Sequence, residues 1–204
     1  EAIAALEYYR ELYDCCSPPG MGNAFFQETN DAMISGQAAM IMNYFAFFPA
    51  LASEAISPYA ADTGFFANPK GPDGASHSAL GGQGISIVAY ADDASQEASK
   101  DFIRWFAQDD IQREWALLGG YTCNTKVLES EEFLDVAPYN GAFANTMTQV
   151  MDYWNIPIFA QLLEVTQREL SSAIVAGETS AEDALNRMAE EHDVILRENG
   201  YITE

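Results

Sequence analysis

Basic residues are scarce in this chain. Nine lysines and arginines stand against 31 aspartates and glutamates, a formal net charge of −22. A surface this acidic repels phosphate backbones and anionic lipid, so nucleic acid and membrane surfaces are poor partners. Long apolar runs are missing as well. None approaches the roughly 20 residues that a bilayer span needs, and no signal-peptide pattern opens the chain. Cysteine is limited to Cys15, Cys16 and Cys123. Three cysteines cannot build a disulfide scaffold, and their spacing fits no zinc or iron–sulfur site. Adjacent cysteines rarely bond to each other, because the ring so closed is strained. Two readings stay open: one of the pair bonds to Cys123, or both are buried thiols. Histidine is limited to His77, in a polar loop, and His192, on the last helical segment. Neither has a metal-ligand neighbour at helical spacing, and both read as structural.

Catalytic constellations are absent too. There is no G-x-S-x-G elbow and no phosphate-binding P-loop. Gly82-Gln83-Gly84 has a G-x-G core, but the third glycine is missing. An apolar strand pattern follows it, where a phosphate-binding helix would have to begin. The runs Glu129, Glu131, Glu132 and Glu190, Glu191 read as solvated helix faces. A glycosidase needs two carboxylates converging from different elements, and nothing in the pattern points to such a pair. The expectation is therefore no catalytic residue, no metal and no cofactor.

What is present is a globular pattern. Its 204 residues are 49% hydrophobic, enough for one large or two small cored domains. Ala2, Leu6, Tyr9 and Tyr13 recur at helical spacing over 1–14, and Ser17-Pro18-Pro19-Gly20 ends that helix. A second helix is expected over 25–35, with Phe26, Thr29 and Met33 on one face and Gly36 as its stop. Ala38 to Asn43, Gly64 to Ala67 and Ile85 to Tyr90 read as short buried strands. An aromatic cluster, Tyr44 to Phe48, leads into a short helix ending near Glu54. Lys70 to Gly74 is a turn. Asp93 with Gln96 makes a capping box for a helix to Ala107, whose inner face carries Ala98, Phe102 and Phe106. Ile111 to Leu118 continues as a helix that ends at Gly119-Gly120. Beyond Thr122 the chain is nearly all helix: 139–152, 158–176 stopped by Gly177, and a last helix opened by Thr179 with Glu182 and closed by Asn199-Gly200.

Short strands, apolar on both faces and separated by helices, argue for α/β layering. About four strands cannot complete two sheets. Glu1 also begins inside an amphipathic pattern. The chain therefore reads as a piece of a longer one.

The order of these motifs resembles the carbohydrate-type extracellular solute-binding proteins of ABC transporters. The carrying segments are Gln27 to Met42 with its Ser35-Gly36-Gln37-Ala38-Ala39-Met40 core, the aromatics Tyr44 to Phe48, and Phe65 to Pro69. Then come Gly81-Gly82-Gln83-Gly84-Ile85-Ser86-Ile87, Ala98 to Ala107, Gly119-Gly120-Tyr121-Thr122, and the terminal helical pair with Gly177 and Ala184-Leu185. The resemblance runs over nearly the whole chain and matches the C-terminal half of such a receptor. Gln83 departs from it, since many relatives have tryptophan there. Thr122-Cys123 departs too, where many have proline.

The resemblance implies a periplasmic-binding-protein-like (type II) α/β fold. Residues 1–65 and 121–204 would form the second lobe and 66–120 part of the first, with the N-terminal half absent. It implies a small-molecule solute, a carbohydrate, held in the cleft between lobes and delivered to ABC permease subunits. The location would be periplasmic or extracellular, with a lipid anchor on the missing N-terminal part as one arrangement. An acidic glycoside hydrolase and a non-transport interaction domain are the alternatives.

The ligand candidates are Tyr44, Phe45, Gly82, Gln83, Tyr121 and Trp154. Each aromatic also has a core reading, since buried rings are common. Tyr44 has a hydroxyl suited to a wet cleft edge. Gln83 is a polar side chain in an apolar strand pattern and needs a partner. Gly82 lets backbone approach a ligand closely. Asn43 reads as a strand-end turn residue or a cleft donor. The face that the missing half would cover is expected to be apolar and to promote self-association.

Overall fold

The structure, a computed structural model, describes residues 1–82, 84–151 and 154–203. Two compact units divide the chain: Glu1–Ala32 with Trp154–Glu204, and Met33–Tyr153.

The first unit is helical. Helix α1 (Ala2–Cys16) buries Leu6. Helix α9 (Phe159–Ser171) buries Leu162, Val165 and Glu169. It widens into a π turn, Ser172–Ala176, which stops at Gly177. Gly177 has φ 64°, the left-handed conformation expected of a glycine stop. Helix α10 (Ala181–Glu198) then packs on α9. The core joins Leu6, Ala173, Ile174 and Ala184, with Tyr13, Leu170, Ala181 and Leu185 against it. Arg10 donates from Nη1 to the Ala173 carbonyl at 2.8 Å, tying α1 to the π turn. Helix α2 (Phe26–Ile34) follows α1 in the chain and buries Asn30 and Ala32. Phe26, expected on one face with Thr29 and Met33, is exposed.

The second unit carries short helices around two cores. Helices α3 (Phe48–Leu51), α4 (Asp93–Phe106), α5 (Asp109–Leu117), α6 (Thr125–Leu128), α7 (Glu131–Val136) and α8 (Asn140–Met147) belong to it. One core joins Ala116, Val127, Leu128 and Phe133. The other joins Phe48, Leu51 and Tyr139, with Phe45, Phe65 and Tyr121 packed on it. Two parallel two-residue strands, β1 (Ser78–Ala79) and β2 (Val150–Met151), pair Ser78 with Val150 and Ala79 with Met151.

The helices match the periodicity closely, and the strands do not. Residues 38–43, 64–67 and 84–88 form no ladder. A strand is defined by its ladder, and among the described residues no second strand is paired with these segments. The expected helix over 139–152 stops at Met147, and Val150–Met151 is strand. The helix α4 face is also uncovered: Phe102 is 52% exposed, and α4 buries no residue. Its amphipathic pattern is genuine, and α5 meets it at Phe106, whose ring lies 5.6 Å from that of Trp115, but Phe102 is left exposed. Both capping boxes sit one residue away from the expected register. Asp92 accepts from the Ser95 amide at 3.0 Å, and Ser180 from the Asp183 amide at 3.0 Å.

The cysteines overturn both sequence readings. Cys15 is bonded to Cys16 at the end of α1, and both are exposed, while Cys123 is a free, exposed thiol. Neighbouring sulfurs are held at high effective concentration, here in the last turn of α1, whose carbonyls have no partner further along the helix.

Candidate functional site

The site begins where the strand pair ends. The Leu80 amide donates to the Met151 carbonyl at 2.9 Å, extending the β1–β2 pairing by one bond. Asn68 braces the approach from the preceding loop, donating from Nδ2 to the His77 carbonyl at 3.0 Å and to Ser78 Oγ at 3.1 Å. Gly81 and Gly82 follow directly and are exposed. Gly82 has φ 143°, a conformation that side-chain-bearing residues rarely adopt.

Tyr44 lies against Gly81, the first of the two. A Cβ built on Gly81 would stand 2.5 Å from Tyr44 Cε1, so only glycine lets the ring sit there. Tyr44 is half-buried. Its backbone is set by Asn43, whose Oδ1 accepts from the Tyr44 amide at 2.8 Å, just before the 3-10 turn Phe45–Phe47. Asn43 therefore acts as a turn residue, one of its two expected roles.

Phe45 and Tyr121 sit together in the aromatic core. Phe45 packs edge-on against Phe48 at 4.8 Å and Phe143 at 5.4 Å. Tyr121 packs on Phe143 at 4.6 Å, and its hydroxyl donates to the Phe45 carbonyl at 2.5 Å. Burial first, then the nearby Tyr139, holds the Tyr121 phenol above the ordinary tyrosine range. Tyr121 thus stays a neutral donor, and its carbonyl accepts from Trp115 Nε1 at 3.0 Å. Gln83 lies outside the described residues.

Trp154 belongs to the other unit, on the segment entering α9. It is 57% exposed, and its ring meets that of His192 at 6.3 Å and 67°. Sequence reasoning treated Gly81 only as part of a motif and His192 only as structural. The Gly-Gly doublet was the available signal for the first. The second has no local signal, because Trp154 and His192 are far apart in the chain.

Among the described residues, no group of three or more histidine, cysteine or acidic side chains is arranged to hold a metal ion. No helix among them is long and apolar enough to cross a membrane. A shallow depression is lined by Glu7, Arg10, Glu11, Asp14 and Cys15, successive turns of one face of α1. It includes none of the ligand candidates. The arrangement at Tyr44 and Gly81-Gly82 offers an aromatic ring beside bare backbone, which suits binding a neutral, hydroxylated molecule.

Comparison with known proteins gives the fold and the family. A solved structure of a T. maritima protein, described as maltose-bound MalE3, superposes with a TM-score of 0.86 at 22% identity. The match covers 95% of this chain and 50% of that one, so the chain spans about half the length of the structure it resembles. It establishes the periplasmic-binding-protein fold. No curated protein matches the chain. The family described as bacterial extracellular solute-binding protein matches residues 1–138. That match covers most of the chain, which therefore belongs to the bacterial extracellular solute-binding proteins.

Proposed function

We propose that this chain is part of the solute-binding component of an ABC importer and helps to capture a sugar or sugar-like solute in a cleft between two lobes. Residues 1–65 and 121–204 are assigned to the second lobe and 66–120 to part of the first. The observation that carries the reading is Tyr44 seated on Gly81 at the end of the strand pair. Sugars present apolar C–H faces and hydroxyl rims. Aromatic rings pack on the faces, while amides and exposed backbone hydrogen-bond the rims. We assign Tyr44 and Trp154 to the faces, and Gly82 and Gln83 to the rim. Phe45 and Tyr121 contribute from the aromatic cluster that supports the Tyr44 turn. The carbohydrate class is supported by the likeness of fold to a maltose-bound protein.

The same reading gives the chain a membrane permease as partner and a periplasmic or extracellular location. A lipid anchor, if the receptor carries one, would lie N-terminal to these residues. Its work is binding without turnover.

The test is a disaccharide panel (maltose, cellobiose, trehalose, sucrose) titrated by calorimetry into the receptor-length protein. One sugar is expected to bind 1:1, and Tyr44→Ala to weaken it at least tenfold. No heat with any sugar would remove the carbohydrate reading. Product release from a chromogenic glycoside would replace it with a hydrolase.

A further inference from the structure

Trp154 is a large ring left more than half exposed on a non-helical segment. Such a ring on a short loop has two free side-chain torsions and is a poor binding surface unless something fixes it. The geometry points to His192 as that fixture: we propose that His192 is a positioning residue that orients the Trp154 indole as a ligand-stacking surface. This rests on the reading of Trp154 as a ligand contact.

The histidine is itself anchored to another element. Its Nε2 lies 2.9 Å from the Leu162 carbonyl and 3.2 Å from Thr166 Oγ1, both on α9. A carbonyl only accepts, so Nε2 carries the proton, and its one N–H is shared between the two α9 oxygens. Thr166 Oγ1 in turn donates to the same Leu162 carbonyl at 2.9 Å, so it is oriented to accept from the imidazole. The imidazole therefore cannot rotate without losing both bonds. The indole packs against this fixed plate at 67°, near the edge-to-face geometry that aromatic pairs prefer. A histidine serving only to tie α10 to α9 would need the two α9 bonds and no exposed tryptophan on its ring.

Two readouts separate orientation from ligand contact. The first uses this chain labelled with 5-fluorotryptophan, with Trp154→Phe to assign its fluorine resonance. His192→Ala is expected to move the Trp154 resonance to the solvent-exposed value and leave Trp105 and Trp115 unmoved. His192→Gln, whose amide can still donate to the Leu162 carbonyl, is expected to restore it. An unmoved Trp154 resonance in His192→Ala overturns the positioning role. The second readout uses the receptor-length protein and the tightest-binding disaccharide among maltose, cellobiose, trehalose and sucrose. Trp154→Ala is expected to cost tenfold or more in Kd and His192→Ala three- to tenfold, with Gln recovering most of it. If the resonance moves but both alanine variants bind normally, the proposal fails at the ligand reading of Trp154. If Trp154→Ala binds weakly and His192→Ala binds normally, it fails at His192.

Discussion

The indole of Trp115 lies directly over Gly120, closer than any Cβ at that position could tolerate, while its Nε1 donates to the next residue's carbonyl at Tyr121, 3.0 Å away. The glycine is needed for space, since its φ is not positive. Gly120→Ala must push the ring aside and break that hydrogen bond. The expected loss is about 1–3 kcal/mol, the usual cost of overpacking. Gly141, inside α8, has nothing within 4 Å of a built Cβ. Gly141→Ala should instead gain up to about 1 kcal/mol from helix propensity. Urea unfolding of the two variants decides the point: equal stabilities would mean that the Trp115 contact does not constrain Gly120.

Glu169 is buried between two arginines. Arg168 Nε stands 3.0 Å from Oε1 and Arg187 Nε 2.8 Å from Oε2, joining α9 to α10. The hydrogen bond from Arg168, then that from Arg187, holds the Glu169 carboxyl below its ordinary pKa. A carboxylate depressed in the folded state adds stability that is complete above its unfolded pKa, about 4.3, and is lost as pH falls through the folded value. Glu169→Gln should therefore cost about 1–3 kcal/mol at pH 7. The gap to the parent should close as pH drops below about 4. Chemical denaturation at pH 7 and pH 3 measures it, and a gap unchanged at pH 3 would exclude this linkage.

Legibility in the sequence followed the range of the forces involved. Helices such as α4 and α10 are specified by their own period and caps, so their extents were readable to within a few residues, with both caps one residue from the expected box. Strands were not. Ile85 to Val88 is apolar enough for a strand, but a strand needs a neighbour, and no described residue supplies one. Ser78–Ala79 became a strand from a polar loop only because Val150–Met151 pairs with it. The site divides the same way. Gly81-Gly82 and Tyr44 were visible as motifs, but the packing of Tyr44 on Gly81 spans 37 residues of chain and was not.

The disulfide between Cys15 and Cys16 closes a ring across one peptide bond. In the chain-entropy account, a crosslink stabilises by restricting the unfolded chain, and a ring between neighbours restricts almost nothing. Reduction should shift Tm by less than about 2 °C. The thiol count is more direct. The unreduced chain should react with one equivalent of maleimide, at Cys123, and the reduced chain with three. Peptide mapping that found Cys123 bonded to either partner would contradict the pairing.

The α4 face leads to a prediction about association. Phe102 is 52% exposed and Trp105 48%, while Tyr90 and Leu118 reach 94% and 81% in the same unit. Exposed apolar surface of this kind favours self-association of the isolated chain, as the sequence pattern suggests. The net charge of −22 opposes it. Repulsion between chains is long-ranged at low salt and short-ranged near 1 M, where the Debye length is about 3 Å. The hydrophobic attraction does not weaken with added salt. Association should therefore grow with ionic strength, the opposite of a charge-driven complex. Sedimentation velocity at 0.01 M and 1 M salt should show monomer in the first and dimers or larger species in the second. Phe102→Ser with Trp105→Ser should restore monomer at high salt without changing helix content. A monomer at both salt concentrations would mean that the uncovered aromatics of α4 are too dispersed to hold two copies together.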